Sequence, residues 1–94
     1  MSEKRTELRI PLMARVDVLW SDEDGTPRVA PATLEDRSDS GASIRLKNPI
    51  RVGSHITVKW GSEQASGTVT YCRHVKADYI LGVKREAWRK SNPK

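Results

Sequence analysis

Apolar residues recur at every second position in a series of short runs, and nearly every run ends at a turn signal. Val16, Val18 and Trp20 alternate with Arg15, Asp17 and Leu19. Ala42, Ile44 and Leu46 alternate with Ser43 and Arg45, and Ile56, Val58 and Trp60 with Thr57 and Lys59. A period of two is the signature of a strand with one buried face. Val69 to Val75 is rich in β-branched residues, and Tyr79 to Val83 closes the series. Val29 to Leu34 is a weaker strand, interrupted by Pro31, which places it near an edge or a bulge. Ser21-Asp22-Glu23-Asp24-Gly25, Asn48-Pro49, Gly53-Ser54 and Gly61-Ser62 are the intervening turns. Six short strands at this spacing predict an all-β fold, a small antiparallel six-stranded β-barrel.

The ends of the chain depart from the pattern. Glu3 to Arg9 is polar, and Pro11 pushes Ile10 toward an extended conformation. This gives a mobile arginine-bearing leader over residues 1–11, a barrel over 12–85, and a short helix or frayed basic tail over 86–94. A helix over Lys84 to Arg89 is expected to pack Trp88 on the barrel.

Composition limits what such a barrel can do. With 94 residues, of which 36% are hydrophobic, a single small core is expected, too small to bury a large catalytic apparatus. The one cysteine, Cys72, excludes an intramolecular disulfide and a multi-cysteine zinc site. No stretch has the length and apolarity of a signal peptide or membrane span, so a cytoplasmic protein without membrane insertion is expected. The net charge of +5 is concentrated at the C-terminus. There Lys84, Arg85, Arg89, Lys90 and Lys94 stand against Glu86 alone, so the last eleven residues hold +4 of it. A body of near-neutral charge argues against a groove that tracks a phosphate backbone. His55 and His74 lie at no metal-ligand spacing. Cys72 and His74 share a strand face, with no third residue to orient the imidazole. Neither a catalytic nor a metal site is expected, and no enzymatic activity.

Two polar patterns remain. Arg5 and Arg9 have the spacing R-x-x-x-R, which in a helical turn puts both guanidiniums on one face. Such a pair suits phosphate oxygens or the O6/N7 edge of guanine. Asp36-Arg37-Ser38-Asp39-Ser40-Gly41 sits between two predicted strands. A carboxylate at Asp36 accepts two hydrogen bonds, matching the N1–H and 2-amino donors of guanine. Ser38 offers a hydroxyl to a phosphate oxygen. Gly41 permits either a positive φ or a close backbone approach to a ligand.

Together, R-x-x-x-R and D-x-S-x-x-G in this order resemble the signature of the PilZ family, bacterial receptors for cyclic di-GMP. The resemblance continues through Val52-Gly53-Ser54-His55-Ile56-Thr57-Val58, Gly67-Thr68-Val69 and Leu81-Gly82-Val83. It departs at Ala42, where a second small residue or glycine is common, and at Lys84-Arg85, where an aromatic often stands. The resemblance implies a PilZ-like barrel in which Arg5 and Arg9 contact phosphates and guanine edges. Asp36 would read a guanine, Ser38 would contact phosphate, and Gly41 would hold the turn. It also implies that Lys4, just before the arginine motif, influences whether one ligand or a stacked pair is held. The expected ligand is cyclic di-GMP, with no further cofactor. The expected output is a conformational change passed to an effector protein by a monomer or weak homodimer, in motility or exopolysaccharide regulation. Two rival readings are a basic barrel that binds single-stranded nucleic acid and a PilZ-like interaction module without nucleotide binding.

Overall fold

The computed structural model describes residues 10–86, with side chains described from Met13 onward. Six strands follow one another: β1 (Ile10–Ser21), β2 (Pro27–Arg37), β3 (Gly41–Leu46), β4 (His55–Trp60), β5 (Glu63–Val75) and β6 (Asp78–Arg85). They close into an antiparallel barrel in the order β1-β2-β3-β6-β5-β4. Closure pairs β1 with β4 through Asp17–Lys59, Val18–Val58 and Leu19–Thr57, and so leaves no full-length edge strand.

The alternation read from the sequence becomes the inner surface. Val18, Ile44, Ile56, Val69 and Leu81 are the largest fully buried side chains, and Val16, Leu34 and Leu46 surround them. Pro31 stands opposite Asp17 on β1, but β3 ends at Leu46, opposite Ala32. On that side Pro31 lies beyond the ladder, where a missing N–H costs nothing. The Asp22–Gly25 turn closes the β1–β2 hairpin through a Gly25 N–H to Asp22 carbonyl bond of 2.9 Å, with Gly25 at φ +86°.

Strand direction sorts the connections between the two ends of the barrel. The β1–β2 tip, the β5–β6 turn and the long β3–β4 connection lie at one end. That connection drops Ile50, 3% exposed, into the core there. The β2–β3 and β4–β5 turns lie at the other end, together with the start of β1 and the finish of β6. The described chain therefore begins and finishes at the end that carries Asp36 to Gly41.

Two boundaries differ from the sequence expectation. β1 starts at Ile10, because Ile10 and Pro11 find partners in Arg37 and Asp36. Lys84 and Arg85 extend β6 instead of opening a helix. Both flanking strands reach that far, pairing Lys84 with Gly41 and Thr68 and Arg85 with Gly67, so the ladder captures them. No helix occurs among the described residues, and Trp88 lies outside them.

Candidate functional site

The site is built around an irregularity in β2. The β2–β3 register shifts between Leu34 and Asp36, and the β1–β2 register shifts between Pro11 and Ala14. Glu35 is the extra residue of the first bulge, and Met13, at φ +53°, lies in the second. A bulge reverses the in–out alternation beyond it. Leu34 pairs with Ile44 on the inner face, but Asp36 pairs with Ser43 on the outer face and Arg37 with Ala42 on the inner. The neighbours Asp36 and Arg37 are thereby aimed to opposite sides of the barrel wall. Glu35 is tied by its carboxylate to Arg45 Nε at 2.7 Å. Arg45 also meets Asp78 at 3.3 Å, and Lys47 meets Asp78 at 2.7 Å. The hydrogen bond from Lys47, then that from Arg45, holds the Asp78 carboxyl below its usual range against the opposing cost of desolvation.

The turn that follows is fixed from two sides. Ser38 N–H donates to the Gly41 carbonyl at 2.8 Å, closing the hairpin. Arg85 N–H donates to the Ser40 carbonyl at 2.8 Å, and its guanidinium reaches the Ser38 carbonyl at 3.4 Å. Ser38, 7% exposed, is the buried polar residue of the described chain. Gly41 does not have a positive φ. A Cβ there would run into the Val83 carbonyl, so its glycine is required by the close approach of β6.

Beneath the turn the barrel end is open. An apolar cavity lies between the β2–β3 and β4–β5 turns, floored by Leu34, Ile44, Val58 and Val83. Arg37, Ser38, Trp60, Glu63 and Arg85 stand at its rim, and the Arg37 guanidinium lies 5.1 Å from the centre of the Trp60 ring. A guanidinium over an indole is a favourable cation–π pair, and it bridges the two turns.

The structure thus brings Asp36, Ser38 and Gly41 into one turn, with Asp36 on the outer wall and Ser38 at the barrel mouth. Lys4, Arg5 and Arg9 lie outside the described residues. Three residues at this end escaped sequence reasoning. Arg37 occupies an unspecified position of the D-x-S-x-x-G pattern, Trp60 reads as core, and Arg85 reads as the opening of a C-terminal helix. Only the register of the bulged ladder reveals that the first faces the second.

His55 lies on β4, and Cys72 and His74 lie on β5. His55 Nδ1 is 3.5 Å from Glu86 and exposed, and His74 stacks on Tyr79 with ring centres 4.5 Å apart. Cys72 is half-buried. Among the described residues no three His, Cys, Asp or Glu side chains gather as metal ligands, and no helix is long and apolar enough to cross a membrane.

No protein-family model matches the chain, and no curated protein matches it. Among solved structures it is similar to the PilZ domain of YcgR from Escherichia coli with c-di-GMP. The TM-score is 0.63 at 16% identity, covering 90% of this chain and 79% of that one. A likeness over nearly the whole chain at so low an identity is a likeness of fold, and together with the closed six-stranded barrel it shows that this chain has a PilZ-like fold.

Proposed function

We propose that the protein is a non-catalytic receptor for cyclic di-GMP that signals through a partner protein. One observation carries the reading. Pro11 pairs with Asp36 and Ile10 with Arg37, so the described chain begins beside the D-x-S-x-x-G turn. Arg9 is joined to Ile10 by one peptide bond, which sets their Cα atoms about 3.8 Å apart. The residue that follows the first motif in sequence is thus paired within the second, although Arg9 and Asp36 are 27 residues apart in sequence. That a structurally similar domain is described with c-di-GMP supports the same ligand class.

In this reading Arg5 and Arg9 take phosphates and guanine edges, Asp36 takes a guanine N1–H and 2-amino pair, and Ser38 a phosphate oxygen. Gly41 keeps the turn pressed against β6. Lys4 biases the site toward one ligand or a stacked pair. The segment ahead of β1, residues 1–9, closes over the turn as the ligand binds. Ordering a segment on binding lowers affinity but turns occupancy into a change of surface, which an effector protein can read.

Isothermal titration of the protein with cyclic di-GMP, linear di-GMP and a short oligonucleotide tests the reading. Saturable binding of the cyclic dinucleotide alone is expected. Arg9→Ala and Asp36→Ala each remove charge-assisted hydrogen bonds of about 1.5–3 kcal/mol, roughly one to two decades of affinity. Unchanged affinity in the double variant would remove the site assignment. Salt-dependent oligonucleotide binding without preference for the cyclic ligand would favour the nucleic-acid reading.

A further inference from the structure

The barrel is closed, but one strand outruns its neighbour. Pairing of β5 with β4 ends at Thr68, opposite His55, while its pairing with β6 runs on to Val75. Val69 is still satisfied on the β4 side. Its N–H donates to the Ser54 carbonyl at 2.9 Å, and its carbonyl accepts from the Gly53 N–H at 2.8 Å. There the cover stops. Ser54 N–H donates to the Arg51 carbonyl at 3.1 Å with Gly53 at φ +94°, and this tight turn carries the chain off the line of β4. From Tyr71 to Val75, among the described residues, β5 has a strand on one side only. That is about 17 Å of open edge.

The direction of the backbone groups along this edge follows from the turn at its end. Lys76 and Ala77 form a two-residue loop between the partners Val75 and Asp78. Such a loop is flanked by a pair that exchanges both hydrogen bonds, and bonded and non-bonded pairs alternate from there. Arg73–Ile80 and Tyr71–Gly82 are then bonded pairs, and His74–Tyr79 and Cys72–Leu81 are not. The N–H and C=O groups of Cys72 and His74 therefore point away from β6, to the open side. They form the template on which an extended peptide adds a strand to a sheet.

The side chains along the edge determine what pairs with it. Arg73 is exposed, 5.9 Å from the centre of the Tyr71 ring, and Lys76 is exposed at the turn. Neither meets a carboxylate among the described residues, and Asp78, the acid beside the turn, is held by Lys47 and Arg45. Two copies joined edge to edge along β5 would set cation against cation, which opposes self-pairing. The same charges favour a strand that carries carboxylates. Val52, 61% exposed at the Arg51–Ser54 turn, adds apolar surface where such a strand would end.

We infer that the open edge of β5, from Tyr71 to Val75, is a docking site for an extended acidic segment of another protein, added as a strand with a carboxylate opposite Arg73. The backbone of Cys72 and His74 holds the segment, and Arg73 and Lys76 select its charge. The edge runs toward the end of the barrel away from the Asp36 turn, and the inference stands apart from nucleotide binding.

Amide NMR of the full chain tests it with the peptide acetyl-Ser-Thr-Val-Glu-Val-Thr-Ser-amide and a copy with lysine in place of glutamate. In the free protein the Cys72 and His74 amides are expected to exchange with water about tenfold or more faster than those of Tyr71 and Arg73. The glutamate peptide shifts and protects the Cys72 and His74 amides, and binds about fivefold or more tighter than the lysine peptide. In the double variant Arg73→Glu, Lys76→Glu the order of the two peptides reverses. Slow exchange at Cys72 and His74 in the free protein means that the edge is already covered, and overturns the site. So does a titration to the solubility limit of the glutamate peptide that leaves these two amides in place. Protection that appears when the protein alone is concentrated assigns the edge to a second copy and overturns the acidic partner. Equal binding of the two peptides overturns the selection by charge, and with it the acidic partner.

Discussion

Gly41 occupies the last position of D-x-S-x-x-G, and the reason it is glycine differs from the one its position in a turn implies. A turn glycine is commonly needed for a positive φ, as at Gly25 and Gly53 in this chain. Gly41 lacks one. Its constraint is the Val83 carbonyl, which sits where a Cβ would project. Backbone cannot swing aside as a side chain does, so Gly41→Ala must push β3 away from β6. A cost of about 2–3 kcal/mol is expected, which lowers the thermal midpoint of a domain this size by roughly 10–20 °C. The measurement is thermal unfolding without ligand. A loss of ligand affinity with an unchanged midpoint would instead mean that Gly41 makes room for the nucleotide. Asp36 illustrates the complementary case, in which the residue was singled out by the sequence and its direction was not, while its neighbour Arg37 was not singled out at all. Sequence spacing puts both in the motif, but the extra residue at Glu35 sends Asp36 outward and Arg37 over Trp60.

At the scale of elements, five of the strands were plain in the sequence because each carries an alternating or β-branched run, and the sixth, Val29 to Leu34, was weaker because Pro31 interrupts it. Val18, Ile44, Ile56 and Leu81 all fall on the buried phase of that alternation. Strand ends were less legible. The run Glu63 to Thr68 is polar and small, yet β5 begins at Glu63 because β4 offers six successive partners, from His55–Thr68 to Trp60–Glu63. Ladder pairing overrides a weak local pattern, as it also does at Lys84 and Arg85. The bulges had no sequence signal, since each is a mismatch between two strands and belongs to neither alone. The two-residue hairpins show the same interplay of local and long-range demands. Gly61 opens the β4–β5 turn at φ +62°, the favourable arrangement for a primed turn. In the β5–β6 turn the equivalent position holds Lys76, at φ +58°. A left-handed backbone costs a residue with a Cβ roughly 1–2 kcal/mol, part of which glycine returns through its freer unfolded chain. Lys76→Gly is therefore expected to stabilise the barrel by about 0.5–1 kcal/mol. A chemical-denaturation midpoint that rises at constant slope would bear this out, and a fall would mean that the lysine side chain holds the turn by contacts of its own.

For the whole molecule, the two ends of the barrel have different tasks. One end is plugged by Ile50 and crossed by the long β3–β4 connection. The other holds two short turns, an apolar mouth rimmed by Arg37 and Arg85, and the points where the described chain begins and finishes. Under the receptor reading, ligand energy is delivered where the leader joins β1, so occupancy changes the surface at that end and leaves the plugged end as it is. Proteolysis can read this directly. Trypsin cuts after lysine and arginine, and Lys4, Arg5 and Arg9 offer it three sites in the leader. Saturating cyclic di-GMP is expected to slow cleavage at these three sites by about tenfold or more, in line with the fraction of time the leader spends closed. Cleavage after Lys47, which is exposed on the far side of the turn region, reports opening of the barrel itself and serves as the internal reference. Equal protection at Lys47 and in the leader would mean that the ligand stabilises the fold as a whole, and closure of the leader would then not be the signal. Protection confined to the leader, and absent in Asp36→Ala, would tie the closure to the turn. The barrel would then be a fixed support, and the leader the part that tells a partner protein whether the site is filled.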